Sequence, residues 1–199
     1  MSFVDRFIGF SIDLTSSERS LYKKIRLKLP LYPNESRSAL VARVLTYLLC
    51  YRENLHFSSN PSESSEPTIY AEEIDQSFSA FVGLPDFKAL RLLARRSAPA
   101  TCAVYFYTKA QLTKFCHDLR GTKENWVERC RFFILHVTPE QIDTILPEEA
   151  SSVDWQIIEI DSTLYLEGPA FSVALQLEAL DIWDAYQQSL SSGEPNEDR

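Results

Sequence analysis

The side chains best suited to nucleophilic or soft-metal chemistry are few and scattered. Cys116-His117 with Cys130 and His136 is the only set that could be written as a zinc centre. Its spacing matches no familiar structural zinc site. Adjacent residues on a helix point apart, so Cys116 and His117 do not make a catalytic pair either. The four cysteines, at 50, 102, 116 and 130, sit inside apolar patterns without a Cys-x-x-Cys pair. They read as reduced core thiols of a cytoplasmic protein. With five glycines in all, there is no phosphate-cradling glycine loop. Carboxylates are plentiful: Glu35 opens a helical pattern, Glu72, Glu73 and Asp75 precede a short strand pattern, and Asp86 follows it. Gathered at one point, such oxygens could hold a hard divalent ion.

The basic residues fall into two runs. Lys88, Arg91 and Arg95 recur at helical spacing beside Arg96, as a phosphate-facing groove or a solvated helix face would. Lys24, Arg26 and Lys28 alternate along a strand and make a charged outer face that would protect a sheet edge. The formal net charge of -8 works against tight sequence-independent binding to nucleic acid, and favours the solvated face for the first run.

The elements that must position these groups follow from apolar periodicity. Residues 3–14 and 21–29 alternate and predict an N-terminal hairpin. Leu40, Val41, Val44, Leu45, Leu48 and Leu49 recur at helical spacing. They predict a buried helix over about 35–55, capped by Asn34 with Glu35 in its first turn. Short strands are expected at 69–72 and 77–82, and a helix at 87–96. A strand at 101–107 lacks alternation and should be buried on both faces. A helix at 111–119, a strand at 130–137 and a Thr138-capped helix ending near Pro147 come next, then three closing strands at 155–160, 163–167 and 171–177. The whole predicts one α/β domain over 1–183, a mixed sheet with flanking helices, and a polar, disordered tail over 184–199. No apolar run is long enough to span a membrane, and residues 1–14 lack the unbroken apolar stretch of a secretory signal.

Several segments resemble the YaeQ family of small bacterial proteins. Tyr32-Pro33-Asn34-Glu35-Ser36 is similar to the family's His-Pro-Ser-Glu-Thr at the start of its long helix. That helix continues here with Ala42 to Tyr47, and Arg52-Glu53-Asn54-Leu55-His56-Phe57 resembles its Glu-Arg-Leu-x-Phe ending. Gly83-Leu84-Pro85-Asp86 is like the family's Leu-Gly-x-Pro-Asp, and a basic helix and the apolar strand from Cys102 to Tyr107 follow in the same order. The likeness runs to about Trp183.

This resemblance implies a restriction-endonuclease-like PD-(D/E)XK core, in which acidic residues on a mixed sheet bind Mg²⁺ beside a scissile phosphate. It also implies that the N-terminal hairpin and the C-terminal strands are additions to that core. The family's key strand reads Asp-x-x-x-Glu-Leu-Gly. Counted back from Gly83, its Glu falls on Phe81 and its Asp on Ser77, and its lysine position falls on Arg91 or Leu92. Residues two and four apart on a strand share a face. Ser77, Ser79 and Phe81 would therefore offer two hydroxyls and a ring where a metal needs anions. The expectation is a non-catalytic binding or regulatory module without cofactor, with a protein or nucleic acid as partner. It would use Glu35, Arg43, Ser77, Ser79, Phe81 and Arg91. Glu35 and Arg43 could equally bond each other. The alternative is a Mg²⁺-dependent nuclease whose site has migrated to Glu35, Asp75 and Asp86.

Overall fold

The computed structural model describes residues 6–59, 64–72, 77–96, 101–119 and 126–191. Asp75 and Glu73 lie outside them. Ten strands form one mixed sheet: β1 Arg6–Ser16, β2 Leu21–Leu31, β3 His56–Phe57, β4 Ile69–Glu72, β5 Ser77–Val82, β6 Thr101–Phe106, β7 Cys130–His136, β8 Ser152–Ile160, β9 Thr163–Gly168 and β10 Phe171–Leu180. The helices are α1 Arg37–Leu49, α2 Phe87–Arg96, α3 Lys109–Asp118, α4 Pro139–Ile145 and α5 Ile182–Ser191.

The strand order is β2-β1-β8-β9-β10-β7-β6-β5-β4-β3. β5, β6 and β7 are parallel neighbours, and β1 runs parallel to β8. The C-terminal strands are therefore not appended to a finished core. They fill the middle of the sheet and join the N-terminal hairpin to the parallel trio. β1 pairs with β2 on one side only, and β8 satisfies the backbone groups on its other side.

Each half of the sheet packs differently. One face carries a continuous core in which Ile8, Ile12, Phe78, Ala80, Tyr105, Leu135, Trp155 and Leu175 surround α1. On the other face Phe81, Val104, Phe106, Phe132 and Ile134 pack beneath α2, α3 and α5. β6 lies between two parallel neighbours and under both layers, so Cys102 to Phe106 are all buried, which is why that strand lacks alternation. Among the described residues, the same face of β2, β1, β8 and β9 carries no helix, and the outward residues of those strands alternate with the core residues.

α1 is enclosed almost all round. Leu40 to Leu48 are buried without a break, Arg43 and Thr46 included. The helix is shorter than its periodicity suggests. Glu35 N–H donates to Tyr32 O at 2.9 Å and closes a turn, so the cap falls on Ser36 rather than Asn34. Ser36 Oγ accepts from Ala39 N at 3.1 Å. At the other end, Arg19 from the β1–β2 turn donates to the carbonyls of Leu48 and Leu49 at 3.1 and 3.0 Å, while also pairing with Glu159. The chain then leaves the helix, and His56-Phe57 pairs with β4. Residues 184–191, expected as the start of a polar tail, form most of α5 instead. Asp181 Oδ1 accepts from Trp183 N and Asp184 N, and Ile182, Trp183, Ala185 and Tyr186 pack onto the second core.

Candidate functional site

The chain's one deeply buried ion pair is at the N-terminal end of α1, among the described residues. Arg43 Nη2 lies 3.0 Å from Glu35 Oε2, and the two side chains are 3% and 7% exposed. Glu35 is held in the turn before Ser36, where its carboxylate also accepts from Tyr32 N at 3.4 Å. Arg43 is carried inward because α1 is buried without a break from Leu40 to Leu48. Its Nη2 also donates to Pro30 O at 2.8 Å, and its guanidinium lies over the Phe57 ring. Its Nε has no hydrogen-bond partner.

This pair forms part of the wall of a cleft of about 260 Å³, together with Ser36, Thr68, Gly83, Tyr107 and Gln111. Gly83 ends β5 with φ +93°, a backbone bend that other residues adopt only with strain, and its N–H donates to Tyr105 O at 2.8 Å. A Cβ there would sit 3.4 Å from the Tyr107 ring and from Gln111 Nε2. Gln111 in turn accepts from Tyr107 N at 3.1 Å. The cleft thus forms where the ends of β5 and β6 meet the N-terminal ends of α1 and α3. A second hollow of about 430 Å³ shares Tyr107 and continues past Lys109, His136 and Gln141.

Burial raises the Glu35 carboxyl above its ordinary range, with Arg43 and the Tyr32 N–H pulling the other way. Burial likewise lowers Arg43, against the pull of Glu35. Burial also raises Tyr107, opposed by hydrogen bonding to Gln111 and Ser36 and reinforced by the charge of Glu35. A carboxyl raised by folding contributes stability that is full below its unfolded value and lost as pH rises through its folded value. The melting temperature of the wild type minus that of Glu35→Gln should therefore fall as pH rises from about 4 to 7. Paired thermal melts across that range check it. A difference that rises with pH would mean that Arg43 outweighs burial.

Of the expected site residues, the structure brings together Glu35 and Arg43 and leaves the others elsewhere. Phe81 is 2% exposed and points into the core beneath α2 and α3. Ser77 and Ser79 share its side of β5, so all three face away from α1 and Glu35. The β5 residues on the α1 side are Phe78, Ala80 and Val82, none of them a ligand for a hard cation. Arg91 is exposed on α2, on the Phe81 side of the sheet, and does not line the cleft. Asp86 caps α2: its Oδ1 accepts from Ala89 N at 2.8 Å. Asp75 lies outside the described residues.

Cys116 and Cys130 are buried, whereas His117 and His136 are exposed and lie beside Asp118 and Glu178. Among the described residues, no three of His, Cys, Asp and Glu are grouped to hold a metal ion. No helix among them is long and apolar enough to cross a membrane. Tyr107, Gln111 and Thr68 were not singled out from sequence as site residues, and Gly83 was used only as part of the Gly83-Leu84-Pro85-Asp86 motif. The one available signal was position, because ligands of open α/β sheets collect at the C-terminal ends of parallel strands.

A family model described as YaeQ protein matches residues 1–177. The fold is similar to the crystal structure of YaeQ protein from Pseudomonas syringae. That match has a TM-score of 0.69 and 19% identity, and covers 88% of this chain and 95% of that one. It is also similar to YaeQ protein from Xanthomonas axonopodis pv. citri, with a TM-score of 0.72 and 17% identity, covering 87% and 96%. At these identities the likeness to solved structures speaks for the fold alone. No curated protein matches significantly.

Proposed function

The chain belongs to the YaeQ family, and from that premise we propose that it is a non-catalytic binding module on a degenerate PD-(D/E)XK-type nuclease scaffold. It engages a polar group of a protein or nucleic-acid partner in the Glu35–Arg43 cleft. The observation that carries this reading is the closure of the cleft's carboxylate: Glu35 is buried and bound by Arg43 at 3.0 Å. Magnesium needs several oxygen ligands in near-octahedral geometry and sheds water reluctantly. The described lining offers it one carboxylate, already neutralised by a guanidinium, among hydroxyls and amides. Those groups fit a neutral hydrogen-bonding ligand far better than a hard cation. Metal-assisted hydrolysis would need an ion held firmly enough both to activate water and to stabilise the leaving oxygen. Proteins that bind through such clefts use a few placed polar groups for orientation. Here Ser36, Thr68, Tyr107 and Gln111 supply them in the wall beside the ion pair.

The test is incubation of the purified protein with single- and double-stranded DNA and RNA, with Mg²⁺ or Mn²⁺ present. Every substrate should remain intact, and neither ion should raise the melting temperature, since only a ligand of the folded state does so. Cleavage that disappears in Glu35→Gln would overturn the reading and make the protein a metal-dependent nuclease.

A further inference from the structure

The uncovered face of β2, β1, β8 and β9 carries charges and rings in a pattern that complements itself. Pairing register places Lys24, Asp13, Gln156, Glu167 and Ser172 in one row across β2, β1, β8, β9 and β10. The adjacent row is Tyr22, Thr15, Ile158, Tyr165 and Ala174. The next row on the other side begins with Arg26, Ser11 and Asp154. Side chains in all three rows point away from the α1 core, because the residues between them in sequence are the buried ones.

Three features set this face apart from an ordinary solvated one. Cations stand in a column on β2, and anions gather around a hollow of about 330 Å³ lined by Ser11, Asp13, Asp154, Gln156 and Glu167. Among the described residues Arg26, Asp154 and Glu167 take part in no ion pair, and Lys24 reaches Asp13 only at 3.7 Å with both side chains exposed. Large apolar groups lie open beside the charges: Tyr22 is 70% exposed, Ile160 50%, Tyr165 43% and Ile158 41%. Exposed apolar groups that lie together, rimmed by charge, mark a surface that another molecule covers.

We propose that a second copy of this chain covers this face, in a two-fold dimer whose axis runs parallel to the strands above the β1–β8 seam. β2 and β9 are equidistant from that seam. The rotation therefore places each row over the same row of the other copy, with β2 over β9. Lys24 of one copy then lies opposite Glu167 of the other, Tyr22 opposite Tyr165, and Asp13 opposite Gln156. Arg26 reaches the hollow between Asp154 and Glu167. Every contact occurs twice, as an isologous interface requires. Sheets stack face to face about 10 Å apart, a gap that long cations and aromatic rings fill. The four overlaid strands, at about 4.8 Å spacing and six residues of length, give roughly 400 Å² of projected face per copy. The pair would cover about 800 Å², the scale of a weak association that forms as concentration rises. No residue of the Glu35–Arg43 cleft lies on this face, so it stands or falls separately from the binding role proposed for the cleft.

Charge exchange tests it. Light scattering after size exclusion should show wild-type dimer growing with concentration at low salt and dissociating as salt is added. Lys24→Glu/Arg26→Glu and Asp154→Lys/Glu167→Lys should each weaken self-association about a hundredfold, by setting like charges against each other. An equimolar mixture of the two should recover a heterodimer, because every contact in it is again opposite in sign. Tyr165→Glu, which disturbs no charge pair within the chain, should also give monomer, and circular-dichroism melts report whether each variant is folded. Wild type that stays monomeric up to submillimolar concentration would overturn the proposal. So would a dimer indifferent to Tyr165→Glu and to both charge reversals, or a mixture of folded variants that stays monomeric.

Discussion

Glu35→Ala is expected to destabilise the protein by about 3–5 kcal/mol, and Arg43→Met in the same chain to restore most of that loss. The single substitution leaves a guanidinium that is 3% exposed without its counter-ion. Arg43 cannot escape by giving up its proton at neutral pH, because an arginine keeps its charge even where burial opposes it. What remains to it is one bond to Pro30 O and the face of Phe57. Arg43→Met alone should cost less. The stranded Glu35 can take up a proton, and burial already raises its carboxyl. Methionine also fills most of the volume that the arginine stem occupied, against the walls of an otherwise apolar helix. The double variant Glu35→Ala/Arg43→Met should come within about 1–2 kcal/mol of the wild type. Urea denaturation of the four proteins completes the double-mutant cycle. If the two losses simply add, the residues act independently and the ion pair is not an energetic unit. If they do not add, a stabilised double variant that also loses its ligand would show the pair to be kept for binding rather than for the fold.

The sequence carried most of the elements and little of their arrangement. Six apolar residues from Leu40 to Leu49 were enough to place α1, but its ends were set from outside it. The C-terminal stop depends on Arg19, 30 residues upstream, reaching the last carbonyls. β3 is two residues long and exists only as a partner of β4, so no periodicity announces it. The register of β1 against β8 joins segments more than 140 residues apart, and nothing local to either strand encodes it. The site was legible where chemistry is local. Glu35 and Arg43, eight apart across a turn and a helix, were singled out and do meet. It was illegible where it depends on which layer covers which side. β5 has buried residues on both faces, so its alternation marks two sides without saying which of them meets α1. Counting from a glycine picked the side under α2 and α3. Tyr107 and Gln111 come from a connection that reads as an ordinary capped helix start.

That difference between two sides of one strand has a measurable consequence at Phe81, the position where the resemblance would place a metal-binding glutamate. Phe81→Glu should cost at least about 4–5 kcal/mol and create no magnesium site. Removing the ring forfeits about 3–5 kcal/mol of packing in a core built by Leu90, Phe106, Phe115 and Phe132. The new carboxyl would also be buried without a hydrogen-bond donor or cation beside it, a further penalty of several kcal/mol if it stays ionised. It will therefore hold its proton to a higher pH than in the unfolded chain. Such a raised carboxyl supplies stability below its unfolded value and loses it as pH rises through the folded one, so the variant should be least unstable in acid. Val82→Glu, one residue on, is the control. Val82 is half-buried and lines the cleft beside Glu35, so a carboxylate there can reach water and should cost less. Urea midpoints of both variants at acid and neutral pH, with and without Mg²⁺, decide the matter. A Phe81→Glu protein as stable as the wild type and stabilised further by Mg²⁺ would mean that Phe81 occupies a working ligand position, and that the non-catalytic reading fails with it.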